Sequence, residues 1–232
     1  MRPAVSRALT FSRGFTLTEM AVVLVIVALL IAGVMIPLSA QQDIRARQEA
    51  DRTLAEVREA LLGYAASNAP TGTRPYLPCP DTGDDGVEDR SATPGPCAAQ
   101  EGRVPWVTLG LGRLDPWNNR YRYRVSAAFS DSSAGFILTT AGDIAVCADS
   151  VCASTVAGAV PAIVLSHGPN GAGAFNSAGG TNAAPTGADE LENADGDAVF
   201  VTHIPDTVFD DQLAWVPASV LVNRMISAGK LP

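Results

Sequence analysis

Charge is absent from Met20 to Gln42, and the run is almost wholly apolar as far as Leu38. Arg2, Arg7 and Arg13 precede it, and Glu19 stands at its start. A helix from Phe15 to Leu38 would be about 36 Å long at ~1.5 Å per residue, enough to cross a hydrocarbon core with some tilt. The three arginines place the preceding residues on the cytoplasmic side and send the rest outward. A carboxylate such as Glu19 in that helix costs about 3 kcal/mol on insertion scales, so it needs a partner or a headgroup to reach. Gly33 and Pro37 predict a kink or a melted turn between Ala32 and Leu38.

Beyond the apolar run the pattern changes. From Gln41 to Asn68, Ile44, Leu54, Val57, Leu61 and Tyr64 or Ala65 recur at spacings of three and four, with charged residues between them, which predicts an amphipathic helix. Asn68-Ala69-Pro70-Thr71-Gly72 ends it. Strict alternation over Arg120-Tyr121-Arg122-Tyr123-Arg124-Val125 predicts a strand with three arginines on one face and Tyr121, Tyr123 and Val125 on the other. The arginine face reads as solvated. Phe136–Thr140, Ile144–Cys147, Ala162–Ser166 and Ala198–Thr202 are further strand candidates, separated by Gly and Asp turns. Near the end, Pro217 to Ala228 reads as a helix with Leu221, Met225 and Ala228 or Ile226 inward and Gly229 as its stop, and Trp215 reads as core. The expected fold class is α+β, a long N-terminal helix packed on an antiparallel sheet. The expected divisions are 1–14, 15–38, 39–69 and a head at 70–232.

Composition narrows the head's chemistry. Removing residues 1–14 takes three of the 16 basic residues and none of the 24 acidic ones, leaving a formal charge of −11. That balance argues against a nucleic-acid partner, which requires a basic patch. The four cysteines, Cys79, Cys97, Cys147 and Cys152, all follow the apolar run. An even count on an exported domain reads as disulfides with three possible connectivities, and proximity favours Cys79 with Cys97 and Cys147 with Cys152. A zinc site would call for a Cys-x-x-Cys pair, which these spacings lack.

Arg13-Gly14-Phe15-Thr16-Leu17-Thr18-Glu19-Met20 followed by the apolar run resembles the leader junction of the type IV pilin and type II secretion pseudopilin superfamily. The resemblance implies cleavage by a prepilin peptidase between Gly14 and Phe15 and methylation of the new N-terminal amine. It also implies that Glu19 pairs with the N-terminal amine of a neighbouring subunit during assembly. The rod-and-head plan read above matches the pilin-like fold.

A second resemblance lies in the head. Leu114-Asp115-Pro116-Trp117-Asn118-Asn119-Arg120-Tyr121 is similar to the Asp-Pro-Trp-Gly-Asn-x-Tyr segment of the major pseudopilin family, with Asn118 where the family has Gly. Asp-Pro starts a turn, Trp117 can bury its ring beneath it, and Asn118-Asn119 tolerates left-handed backbone. Ser166-His167-Gly168-Pro169-Asn170-Gly171 is similar to the Ser-x-Gly-x-Asp-Gly that opens that family's calcium loop, with Asn170 replacing Asp. Two acidic segments have the residue types calcium takes. One, ending the loop, offers Asp189, Glu192, Asp195 and Asp197. The other, with part of an EF-hand pattern, offers Asp81, Asp85 and Asp89.

An enzyme is not expected. Ser166 and His167 are adjacent, so a strand points them to opposite faces, and no Gly-x-Ser-x-Gly elbow surrounds either. The expected function is a structural subunit of a type II secretion pseudopilus, anchored in a bacterial inner membrane with its head in the periplasm. Its expected partners are other pilin-like subunits, the prepilin peptidase and an inner-membrane assembly platform, with calcium as a possible cofactor. The alternatives are a minor pilin of a type IV pilus and, further off, a membrane-tethered calcium-dependent binding protein.

Overall fold

The structure is a computed structural model that describes residues 14–68 and 74–232, without the side chains of residues 33–40. The leader up to Arg13 and the Pro70–Gly72 helix stop lie outside the described residues. The chain divides into two compact units, Met1–Arg45 and Ala46–Pro232.

In the first unit, helix α1, which runs over Leu17–Ser67, begins two residues after Phe15. It continues through Gly33 and Pro37 without the melted turn expected there. The apolar side chains from Leu17 to Ile31 are exposed. Among the described residues no helix is long and apolar enough to cross a membrane. The expected span reaches past Ala32 into residues 33–40, whose side chains are outside the described set. Ile44, expected on the packed face of the amphipathic stretch, is 55% exposed.

The second unit is built in layers. The remainder of α1 contributes Ala50, Leu54, Val57, Leu61, Leu62 and Ala65 to a buried face, which includes most of the positions read from the 3.6-residue period. That face packs into a core with Tyr121, Tyr123, Val125, Ala162, Val164 and Val216. These residues lie on or beside a four-stranded sheet in the order β1 (Glu101–Arg103), β2 (Arg122–Val125), β5 (Ala162–Ser166), β7 (Gln212–Val216), antiparallel throughout. Pairing of Tyr123 with Val164 and of Val164 with Ala214 aligns their side chains on the helix side. Helix α5 (Ala218–Ser227) closes the same core with Leu221 and Met225, whereas Ile226 and Ala228 are exposed. Gly229, at φ 67°, follows its end.

The opposite face of this sheet carries a second layer. A three-stranded sheet, β4 (Thr155–Val160), β3 (Ile144–Cys147), β6 (Val199–Val201), forms a smaller core of Ile144, Val146, Val160, Ile163 and Phe200, with Leu213 and half-buried Trp215 packed against it. β3 and β6 pair in parallel, a departure from the all-antiparallel expectation. The long segment between β5 and β6 supplies the crossover a parallel pair demands. Phe136–Thr140 is not a strand: Phe136 is buried against Phe129, but the segment turns at Leu138-Thr139. Short helices α2 (Trp106–Leu109), α3 (Ala127–Ser130) and α4 (Ala188–Glu192) complete the elements. Disulfides join Cys79 to Cys97 and Cys147 to Cys152, the pairing proximity favoured. The architecture is α+β, an N-terminal helix with an antiparallel sheet, and is consistent with a pilin-like fold.

Candidate functional site

The N-terminal determinant is organised by Thr16. Its backbone N–H donates to Glu19 Oε2 at 2.8 Å, its hydroxyl donates to the same oxygen at 2.8 Å, and the Glu19 N–H returns to Thr16 Oγ1 at 3.3 Å. This is a capping box, the Thr-x-x-Glu pattern in which N-cap and third helical residue satisfy each other's free backbone donors. Glu19 therefore has a partner within its own chain at the start of α1. Sequence reasoning passed over Thr16, although the four-residue motif was legible. Gly14 and Phe15 precede the cap, and Phe15 is exposed.

In the head, the Asp115 turn has the predicted form. Asp115 Oδ1 accepts from the N–H groups of Trp117 (3.0 Å) and Asn119 (2.8 Å), and its Oδ2 accepts from Ser166 Oγ (2.8 Å). Burial, the largest influence, nevertheless holds the Asp115 pKa above the ordinary carboxylate value. Asn118 takes φ 66°, the left-handed geometry expected of a residue standing where the similar family has Gly. Trp117 is only half-buried, so the turn is held by Asp115 rather than by a buried ring.

The arginine face is not solvated. Arg120 and Arg122 are 1% and 5% exposed. Arg120 makes a bidentate pair with Asp84 at 2.7 and 3.1 Å, and Asp84 also faces Arg103 at 3.4 Å and Arg113 at 4.0 Å. Hydrogen bonding from Arg120 is the leading cause that holds the Asp84 carboxyl below its ordinary range. Arg122 pairs with Glu101, donates to Gly173 O at 2.9 Å and to His167 Nε2 at 3.0 Å, and lies with Arg103 over the Phe175 ring. Arg124 reaches Glu101 and Gly196 O. A guanidinium leaves water only where carboxylates and carbonyls replace its hydration. Asp84 in the loop closed by Cys79–Cys97 and Glu101 on β1 supply the carboxylates, and the segment between β5 and β6 supplies the carbonyls of Gly173 and Gly196. Alternation correctly separated the two faces of β2 but could not show what covers the second.

The acidic residues sort differently from their order in the sequence. Asp81 accepts from the N–H groups of Gly83, Asp84 and Gly86, and Asp89 accepts from Thr82 and Gly83. Asp85 caps its own turn at Val87. These three brace a loop and are not brought together as a ligand set. Asp189 is separate as well, accepting from Ser150 N and facing His203 Nε2 at 3.2 Å. Glu192, Asp195 and Asp197 do converge, each offering an oxygen within 4.8 Å of the others, but Asp195 and Asp197 are exposed and accept from local amides. Burial, followed by Asp197, Asp195 and Asp189, pushes the Glu192 pKa up.

A second convergence was not read from the sequence. Glu190, Asp210 and Asp211 each offer a carboxylate oxygen within 4.8 Å of the others. Glu190 and Asp211 are 3% exposed. Asn170 Nδ2 donates to both Glu190 oxygens at 2.9 and 3.1 Å, and Asn193 Nδ2 donates to Asp211 Oδ2 at 2.8 Å. Gly168, at φ 59°, lets the backbone approach closely: a Cβ there would lie 2.3 Å from Asp210 Oδ1. Burial first, offset by the Asn170 amide and reinforced by Glu190 and Asp211, pushes the Asp210 pKa up to about 6. Glu190 and Asp210–Asp211 are about twenty residues apart in the chain, so no local pattern could have joined them.

Against known proteins, residues 10–35 match the family described as the prokaryotic N-terminal methylation motif. No curated protein and no solved structure matches the chain. The motif supports a type IV pilin-like protein, pilin or pseudopilin, carrying a prepilin-type leader. Such a leader implies processing by a prepilin peptidase and assembly with pilin-like subunits, and it suggests a membrane-anchored N-terminus.

Proposed function

We propose that the chain is a structural subunit of a type II secretion pseudopilus. In this reading, the prepilin peptidase cuts after Gly14, Phe15 to Leu38 spans the inner membrane, and the head stands in the periplasm on an inner-membrane assembly platform. The observation that carries the reading is the match over residues 10–35, which contains Gly14, Phe15 and Glu19. The turn at Asp115, with left-handed Asn118 at the glycine position of the similar segment, supports the pseudopilin side of the superfamily.

Glu19 has the central role. The capping box satisfies it while the subunit is alone in the bilayer, lowering the cost of a buried carboxylate. A neighbour's N-terminal amine then gives it a charged partner, which a low-dielectric setting rewards more strongly than a neutral hydrogen bond. No catalytic step is part of this function.

The test is deletion of the gene with enzyme export and twitching motility both scored, followed by complementation with wild type and Glu19→Leu. Export is expected to fall and twitching to persist, with Glu19→Leu inserted in the membrane yet unable to restore export. Loss of twitching alone assigns the chain to a type IV pilus as a minor pilin. Loss of neither contradicts both.

A further inference from the structure

After β6 the chain projects into solvent before it returns to β7, and residues 204–208 are exposed throughout. Ile204 is 85% exposed and Val208 62%. This exposure does not come from slack. Asp206 Oδ1 accepts from the N–H groups of Val208 at 2.8 Å and Phe209 at 3.0 Å, and the Asp206 N–H donates to Phe209 O at 2.9 Å. His203 stacks on the buried Phe209 ring with centroids 3.9 Å apart, and its Nδ1 donates to Ile204 O at 2.9 Å. Gly187 packs against the same loop, where a Cβ would lie 2.8 Å from Val208 O. Two β-branched side chains are therefore held out in water by a fixed backbone. Burying them is favourable, and a loop already ordered loses little entropy on binding, so the tip has the properties of the protruding half of an interface.

A receiving surface lies on α5. Ser219, Val220, Asn223, Arg224 and Ser227 line an open crevice of about 490 Å³ on the side of this helix that faces away from Leu221 and Met225. Val220 is 45% exposed there, and Arg224 is the only charge on the helix. Arg224 meets Glu59 at 2.7 Å, but both side chains are 54% exposed, and such a surface pair contributes little and is open to exchange. Asp206 is the only charge on the tip.

Tip and crevice flank different parts of α1. His203 and Pro205 share a cleft with Arg47 and Asp51, whereas Arg224 reaches Glu59. From Asp51 to Glu59 the helix advances about 12 Å and turns through about 80° beyond two full turns. A contact between two different patches is heterologous, and repeating it with an offset in height and angle builds an open helical polymer instead of a closed dimer.

We propose that the 204–208 tip of one copy seats in the α5 crevice of a second copy, with Ile204 and Val208 against Val220 and Asp206 facing Arg224. A second copy is the occupant these features select: an aliphatic tip meets an aliphatic wall, a single acid meets a single base, and the offset suits a polymer. The contact rests on the pilin-like reading of the function and adds to it a defined join between heads.

The test uses the full-length chain in cells lacking the native gene. All four native cysteines are in disulfides, so introduced ones react alone. Ile204→Cys and Asn223→Cys on separate, co-expressed chains should give a cross-linked dimer on mild oxidation, and both on one chain should give a ladder. Leu24→Cys, on the exposed apolar run, reports polymerisation itself. Adding Ile204→Asp to Leu24→Cys should cut that ladder severalfold, with cleavage after Gly14 and the melting of the head unchanged, whereas Ile204→Leu should not. A Leu24 ladder without any 204–223 dimer, or one undiminished by Ile204→Asp, would overturn this contact and leave the function standing. So would cross-linking of Ile204→Cys to itself or to a chain of different mass in place of the 204–223 dimer. Quenching of a probe on Ile204→Cys by lipid-borne nitroxides would assign the tip to the bilayer and also overturn it. Absence of both the Leu24 ladder and the 204–223 dimer would overturn the contact together with the function.

Discussion

Two regions of this protein depart from the rule that apolar groups go inside and charges outside, and they do so in opposite senses. Along α1 from Leu17 to Ile31 apolar side chains are exposed, Leu17 to 87%, whereas on the far face of β2 and the residues leading into it arginines are buried, Arg120 to 99%. The difference lies in the partners. Each exposed leucine forgoes roughly 1.5–3 kcal/mol of burial, and nothing described in its own unit recovers it. On the proposed function, lipid or neighbouring subunits complete that surface. The arginines have partners within the chain: Asp84 and Glu101 supply charge, Gly173 and Gly196 supply carbonyls, and Phe175 supplies a ring face. One region is an interface still to be made, and the other is a finished interior.

If the arginine layer is a finished interior, Asp84→Asn should be the most damaging single change in it. It leaves Arg120 buried without a countercharge, a loss of about 3–5 kcal/mol, to be read from chemical denaturation of the full chain in detergent. The substitution keeps a residue tolerant of the left-handed backbone at position 84, so the loss reports charge rather than strain. The pH dependence carries the same information. Asp84 titrates below its unfolded value of about 3.9, so its stabilisation is fully present above that value and is lost as pH falls through the lower, folded pKa. The acid limb of the wild type should be steeper than that of Asp84→Asn; parallel limbs would remove Asp84 from the centre of the layer.

Next in size is the clasp on the loop that carries Asp84. Replacing Cys79 and Cys97 together by Ser should cost about 3 kcal/mol on the chain-entropy estimate, against about 2 kcal/mol for the shorter Cys147–Cys152 loop. Thermal unfolding of the two double variants checks the order, and equal losses would contradict it. A smaller change, and of opposite sign, is expected at Asn118. Gly there removes the Cβ penalty of the left-handed backbone but adds unfolded-state entropy, so the net gain should stay below about 1 kcal/mol. Destabilisation by Asn118→Gly would mean that the asparagine side chain holds the turn. Smallest of all, Leu29→Ser should change the head's unfolding by less than about 0.5 kcal/mol, since Leu29 is 68% exposed and belongs to the other unit. A larger effect would mean that the apolar segment stabilises the head.

How legible the fold was follows from the range of the interactions involved. The core positions Leu54, Val57, Leu61 and Ala65 follow from helical periodicity, β3 and β5 from short β-branched and apolar runs, and the Asp115 turn from local Asp-Pro and Asn chemistry. β1 escaped notice because Glu101-Gly102-Arg103 is short and has no apolar side chain, β7 because its apolar run Leu213-Ala214-Trp215-Val216 does not alternate and leads straight into a helix, and β4 because Thr155-Val156-Ala157-Gly158, exposed except for half-buried Ala157, carries no alternating apolar face. Covering the arginine face required contacts from Arg120 and Arg124 to loops 36 and 72 positions away, beyond any window of pattern. The acidic clusters show the same limit: neighbouring carboxylates at Asp81 and Asp85 turn out to brace a loop, while Glu190 meets Asp210 and Asp211 only through the fold. In the N-terminal segment chemistry and sequence order coincide, so Gly14, Phe15 and Glu19 could be picked out directly and Thr16 could have been.

The central claim, that this is a pilin-like subunit with a processed leader, is most directly tested by intact-mass analysis of the membrane fraction. A chain beginning at N-methylated Phe15 is expected, and Gly14→Glu should retain residues 1–14. A wild-type chain beginning at Met1, or one cut elsewhere such as after Ala40, would contradict it.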